Sequence, residues 1–272
     1  MTGPTTTVSF MTANFVAREL GWHMASWDAG DRSVHETFEP LETYGERFAA
    51  ICDDAIDLGF DAIDLWDAHL SARWATDEHI EAAISVLRER DLSVASLAGW
   101  FGSDAEHMER TCRIARAVGA PVLGGGSALV GEDRDALVEL LDRYDLRLGI
   151  ENHPERTPAE MLERIGDGAG GRIGTTVDTG WYGTQGYDAA DAIRELGPHV
   201  VHVHLKDVRH AGTPHETCGY GDGVVPLERC VEALRAIGYT GAISVEHEPD
   251  HGDPRPEIGA ARRQLADWLA AA

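Results

Sequence analysis

Four strand-like runs in the second half of the chain each carry a residue able to bind a cation. They are L-R-L-G-I-E at Glu151, I-G-T-T-V-D at Asp178, V-V-H-V-H-L-K at His204 and A-I-S-V-E at Glu246. Successive side chains of a strand point to opposite faces, so His202, His204 and Lys206, on alternate positions, share one face. Three carboxylates and one imidazole, with no thiolate, suit one divalent ion (Mn²⁺, Mg²⁺, Co²⁺ or Zn²⁺) that keeps positions open for substrate oxygens. Singly, each residue reads as a solvated loop acid or a satisfied core histidine. Four at equivalent points of successive strand ends read as one site, because inward-facing carboxylates without a cation repel one another.

The elements that must position them repeat along the whole chain. Strands are predicted over 8–15, 60–66, 92–101, 121–126, 146–151, 172–178, 199–206 and 242–246. Helices are predicted over 41–58, 76–90, 104–118, 133–144, 157–165, 187–196, 226–237 and 257–270. Eight strands alternating with eight helices predict an α/β fold, a (β/α)8 TIM barrel, whose site forms where strands end and βα loops begin. A doubly wound open sheet is disfavoured, since no phosphate-binding glycine fingerprint follows the first strand. Residues 16–40 are read as a long loop holding Trp22, His23, Trp27 and His35, and long loops in compact domains tend to be functional.

With 272 residues, 43% of them apolar, and no Pro/Gly/Ser-rich linker, residues 1–272 are read as one domain. The N-terminal M-T-G-P-T-T-T lacks the basic and apolar regions of a signal peptide, and no apolar run reaches the roughly 18 residues of a membrane span. A soluble, cytoplasmic protein without membrane contact is the expectation. Cys52, Cys112, Cys218 and Cys230 are widely spaced with no C-x-x-C pair, which predicts reduced thiols. The formal net charge is -24, and Lys206 is the only lysine. A surface rich in Asp and Glu and stripped of Lys suits a halophilic cytoplasm, where salt screens self-repulsion. The same charge opposes nucleic-acid binding, which needs Lys and Arg to neutralise phosphates.

Lys206 lies two residues beyond His204, nearer the mouth, and is read as holding a substrate oxygen or assisting proton transfer. His153 and Glu248 follow Glu151 and Glu246 at the same spacing and are read as supporting the ligands. Trp66, His69 and Trp100 close the second and third strands, where aromatic faces suit the C–H surfaces of a substrate and equally suit core packing. Arg209 is read equally as a partner for a phosphate or carboxylate and as a surface residue.

The motifs I-E-N-H at 150–153, V-D-T-G-W at 177–181, V-H-V-H-L-K-D at 201–207, G-Y-G-D-G-V-V at 219–225 and G-Y-T-G-A-I-S-V-E-H-E at 238–248, with G-F-D-A-I-D-L-W earlier, resemble the xylose isomerase-like TIM-barrel superfamily of sugar and sugar-phosphate isomerases and epimerases. The resemblance implies metal ligation by Glu151, Asp178, His204 and Glu246, with Glu151 and Glu246 as the acid/base pair flanking a small sugar or polyol. One would remove a proton beside a carbonyl and the other would return it, through an enediolate. Related oligomers imply a possible homo-oligomer. Many relatives carry a histidine three residues after the metal aspartate, and this chain has Trp181 there, which implies a single metal and a more apolar substrate wall. Thr157 stands where some ketose epimerases supply another carboxylate. The competing readings are an inosose-type dehydratase on the same site, an apurinic endonuclease, disfavoured by Trp181 and the lack of a basic groove, and a non-catalytic sugar-binding barrel.

Overall fold

Apolar, β-branched runs too short to span a domain alone find their partners edge to edge. The computed structural model describes residues 6–271, and in it eight parallel strands close into a barrel. The strands are β1 (Val8–Met11), β2 (Ala62–Trp66), β3 (Ser93–Trp100), β4 (Val122–Gly126), β5 (Arg147–Glu151), β6 (Ile173–Asp178), β7 (Val200–Leu205) and β10 (Ile243–Val245). They run in the order β1, β10, β7, β6, β5, β4, β3, β2, closing as Phe10 pairs with Ile63. This is the TIM barrel that the alternation predicted. Residues 1–5, which bear most of the N-terminal segment read above for a missing signal peptide, lie outside the described residues.

The helices α2 (Leu41–Asp57), α3 (Asp77–Glu89), α4 (Ala105–Val118), α6 (Arg134–Tyr144), α7 (Pro158–Ile165), α9 (Ala189–Leu196), α10 (Leu227–Ala236) and α11 (Arg255–Ala270) cover the barrel. Each buries one stripe, as with Tyr44, Phe48, Ile51, Cys52 and Ala55 of α2. All four cysteines are buried and free. Among the described residues no helix is long and apolar enough to cross a membrane.

Three helices were not anticipated. The stretch read as a loop contains α1 (Trp27–Phe38), capped by Ser26, whose Oγ accepts from Ala29 N at 3.3 Å. Its buried stripe is Gly30, Val34 and Phe38. Gly30 hides the helical period, and it is required there because a Cβ would lie 2.6 Å from Val16 Cγ2. The others are α5 (Leu129–Glu132) and α8 (Thr179–Gln185), which starts directly on Asp178. The first strand is also shorter than predicted. A 3₁₀ turn, Thr12–Phe15, follows it because the Asn14 side chain bridges to the last strand, donating to Val245 O at 3.0 Å and accepting from His247 N at 2.7 Å.

After β7 the chain makes a small antiparallel hairpin, β8 (Asp207–Val208) against β9 (Thr217–Cys218). The Asp207 carboxylate accepts from the backbone N–H groups of Val208, Gly221, Gly223 and Val225, which pins the 219–225 loop beside the mouth.

The outer layer, between strands and helices, is apolar, but the barrel interior is not. Ser9, Asp64, Ser96, Thr176, His202 and Ser244 are all at most 1% exposed. His69 belongs to the core rather than to the mouth: its Nδ1 lies 3.0 Å from Thr12 Oγ1, and its ring meets Phe38 and Trp66 edge-on. Burial, with smaller contributions from Arg18 and His35, pushes its pKa down to about 3. The folded state therefore holds His69 neutral, whereas the unfolded chain protonates it below about 6.5, so its contribution is present above that pH and lost as pH falls. The stability advantage of the native protein over His69→Gln is expected to be constant above pH 7 and to shrink by at most ~1.4 kcal/mol per pH unit below 6.5. Urea midpoints of both proteins across pH 7.5 to 4.5 measure it, and parallel curves would contradict it.

Candidate active site at the barrel mouth

Adjacent strands β5, β6, β7 and β10 end side by side, and their terminal side chains converge. One ligand atom from each of Glu151, Asp178, His204 and Glu246 lies within 4.8 Å of the others. Register sets Asp178 beside His204, Glu151 beside Thr176, and Glu246 two residues past Ser244, which pairs with His204. His204 Nδ1 is 2.5 Å from Glu151 Oε1 and 3.4 Å from Glu246 Oε2. Asp178 holds its place by capping α8, its Oδ1 accepting from Trp181 N at 2.9 Å, while its own N–H donates to Asn152 Oδ1 at 2.8 Å.

Lys206 Nζ completes the group at 3.1 Å from Asp178 Oδ2, 3.1 Å from Glu246 Oε1 and 3.0 Å from Glu248 Oε2. The only lysine of the chain is thus 3% exposed and clasped by three carboxylates. Burial disfavours its charge, but Asp178, Glu246 and Glu248 outweigh that and raise its pKa well above the ordinary value. His153 reaches the same cluster from the loop after β5, with Nε2 3.4 Å from Glu151 Oε2.

Burial would raise Glu151, but His153, His204 and Lys206 outweigh it and hold it at about 2. Glu246 is pushed well up, by burial first and by Glu248 and Asp178 against the pull of Lys206. His204 is raised above the ordinary histidine value, the Glu246 and Glu151 carboxylates overcoming its burial. The donor set fits a divalent ion. Glu246 Oε2 is buried without a hydrogen-bond donor, Asp178 Oδ2 is met by the Lys206 ammonium alone, and the imidazole Nδ1 faces the carboxylates rather than the protein interior.

Sequence reasoning missed what lies beneath. Asp64, fully buried, accepts from Ser96 Oγ at one oxygen, and from His202 Nε2 at 2.5 Å and Ser244 Oγ at 2.7 Å at the other. His204 Nε2 lies 3.2 Å from the same oxygen, off the hydrogen-bond axis. Burial would raise Asp64; His202 and His204 outweigh it and keep the carboxyl well below its usual range. His202 therefore shares the inward face with His204 and Lys206, as the alternation predicted, but serves the floor rather than the cluster.

The cavity above has a volume of about 560 Å³ and is lined by Trp66, Trp100, His153, Trp181 and Lys206, among others. Trp181 stacks on His215 with centroids 4.1 Å apart and 14° between planes. Arg209 does not line this cavity. Its side chain is 54% exposed and pairs with Glu216 at 2.8 Å, because β8 carries it past the rim and outward. His69 lies behind Trp66 and does not line it either.

A closed (β/α)8 barrel with a buried carboxylate and histidine cluster at the C-terminal ends of its strands defines a TIM barrel with a candidate metal site. The model of one such family, the xylose isomerase-like TIM barrel, matches residues 52–272, and the chain belongs to that family. The uncharacterized protein MJ1311 of Methanocaldococcus jannaschii is 31% identical over 120 residues, which cover 41% of this chain and 40% of that one. L-ribulose-5-phosphate 3-epimerase UlaE of Escherichia coli is 36% identical over 74 residues, 27% of this chain and 24% of its own. The chain thus matches less than half the length of either curated relative. Among solved structures, a xylose isomerase-like TIM barrel protein from Mycobacterium smegmatis in complex with magnesium superposes with a TM-score of 0.73, at 18% identity, over 98% of this chain and 97% of that one. A D-tagatose 3-epimerase-like protein does so at 0.70 and 16% identity, over 98% of both chains.

Proposed function

We propose that the protein is a divalent-metal-dependent sugar isomerase or epimerase that moves a proton at the carbon beside a carbonyl. The observation that carries this reading is the convergence of Glu151 and Glu246 on one cation-ready cluster from strands on either side of His204. Simple binding needs no paired acid and base. An epimerase named for a ribulose phosphate among the curated relatives supports the same class.

When bound, the cation would polarise a substrate carbonyl as a Lewis acid. Glu151, Asp178, His204 and Glu246 would hold it, and the remaining work falls to the chain. Glu151 and Glu246 would be the pair that removes and returns the proton, Glu151 resting ionised beside His153, His204 and Lys206 and Glu246, pushed up by burial, resting nearer to protonation. Lys206, clasped by three carboxylates, offsets their mutual repulsion and would turn to a substrate oxygen only by releasing one of them. Trp66, Trp100 and Trp181 present apolar faces that exclude water and take C–H surfaces.

The deciding measurement is proton exchange. Protein loaded with Mg²⁺ or Mn²⁺ is incubated with ketoses, inososes and hydroxypyruvate in deuterated water, and label is sought beside the carbonyl. Label with an isomeric product is the expected result. Label with loss of water instead would identify an inosose-type dehydratase, and no label with any of the panel would sink the proton-transfer reading.

A further inference from the structure

The cluster uses only one arc of the mouth. In the ring of eight strands, β6 and β7 stand opposite β2 and β3, so Asp178 and His204 face the ends of β2 and β3 across the barrel. Eight strands spaced about 4.8 Å and tilted about 36° make a ring roughly 15 Å across, wider than one sugar ring. The cavity continues over that whole width, from Glu246 and Lys206 to Trp27, Trp66 and Trp100. A six-carbon sugar, at roughly six waters of about 30 Å³ each, leaves most of such a volume unfilled.

The far arc is built, not merely empty. Trp27 of α1 and Trp66 of β2 meet with centroids 5.6 Å apart. Trp100 lies against Gly126, where a Cβ would come 3.1 Å from the indole, so the glycine seats the ring. Trp27 is 41% and Trp100 49% exposed, two of the few large apolar side chains left open to solvent among the described residues. Asp31, Asp67 and Arg73 line the same arc. Asp67 is 7% exposed, and Arg73 makes no ion pair among the described residues. Indole faces beside carboxylates and one guanidinium match the C–H face and the hydroxyls of a pyranose. Two acids against one base disfavour a phosphate there.

We propose that this far arc is a second subsite for a neutral sugar ring, glycosidically joined to the ketose whose carbonyl meets the acidic cluster. The substrate class is then a keto-disaccharide or glycoside, and the inference rests on the proton-transfer reading for its near end only. α1, the helix absent from the sequence reading, supplies Trp27 and Asp31 and so makes the mouth two-sided.

Calorimetric titration of the Mg²⁺-loaded protein with D-fructose, lactulose and maltulose tests it. At least one disaccharide is expected to bind about tenfold or more tightly than D-fructose, the worth of one good aromatic contact and its burial. Trp100→Ala and Trp27→Ala, both at exposed positions that leave the core intact, are each expected to pull that ratio toward one. Equal affinities, no disaccharide binding, or an unchanged ratio in both variants would overturn the subsite. Tighter binding of fructose 1-phosphate than of either disaccharide would overturn it too, by placing an anion at Arg73. Disaccharide binding without deuterium wash-in would retire the proton-transfer reading and leave the subsite standing, whereas wash-in from D-fructose with no disaccharide gain would do the reverse.

Discussion

Glutamine in place of Glu246 is expected to lower product formation by roughly 10²–10⁴-fold, the usual share of a general acid or base. Glu151→Gln is expected to do the same, but the two variants should differ in one respect. A two-base reaction can still wash deuterium into the substrate from the side whose base survives. For a substrate of given handedness, one variant should therefore retain label uptake without product, and the other should lose both. Glutamine keeps an oxygen where each carboxylate stood, and Asp178 and His204 remain, so a cation can still be held, more weakly. Metal affinity measured on the same samples separates loss of the ion from loss of the proton carrier. The double variant is expected to be little worse than the more damaged single one, since groups acting on one proton path do not add. Equal and complete loss of label in both variants, with metal affinity intact, would contradict the two-base assignment.

The four cluster residues were legible because a strand has a period of two and a barrel places every strand end at one rim. Once 146–151, 172–178, 199–206 and 242–246 are strands, the faces of Glu151, Asp178, His204 and Glu246 follow. The extra helices were less legible for local reasons: Gly30 breaks the apolar stripe of α1, and α8 begins on the very residue that ends β6. The outward course of Arg209 depends on the β8–β9 hairpin, whose strands are two residues each and carry no periodic signal. His69 closes a strand like Trp66, yet its partner Thr12 lies 57 residues away. Its burial is a property of the packing and not of the motif.

Asp64 was the least legible residue and is expected to matter most after the cluster itself. In F-D-A-I-D-L-W either aspartate could face inward, and the partners that settle the matter are 32, 138 and 180 residues distant. Its carboxylate stands behind His204 Nε2 at 3.2 Å, while Nδ1 faces the acids, so its negative charge acts across the ring on the nitrogen that would meet the cation. Asp64→Asn is nearly isosteric. The amide oxygen can serve His202 and Ser244, and the NH₂ can donate to Ser96 Oγ, so the fold is expected to persist and the charge alone is removed. Divalent-ion affinity is then expected to fall about 10–100-fold. Asp64→Leu, which strands three buried donors, is expected to cost several kcal/mol of stability. Ser244→Ala provides the contrast: its hydroxyl hydrogen-bonds to Asp64 and Ser9 and it leaves the charge of Asp64 in place, so stability should drop while affinity for the ion holds. Should Asp64→Asn bind Mg²⁺ or Mn²⁺ as tightly as the native protein, with an unchanged circular dichroism spectrum, the aspartate is only a structural anchor of the barrel floor. Should affinity fall in Asp64→Asn and not in Ser244→Ala, the buried carboxylate acts through His204 on whatever ion the four strand ends hold.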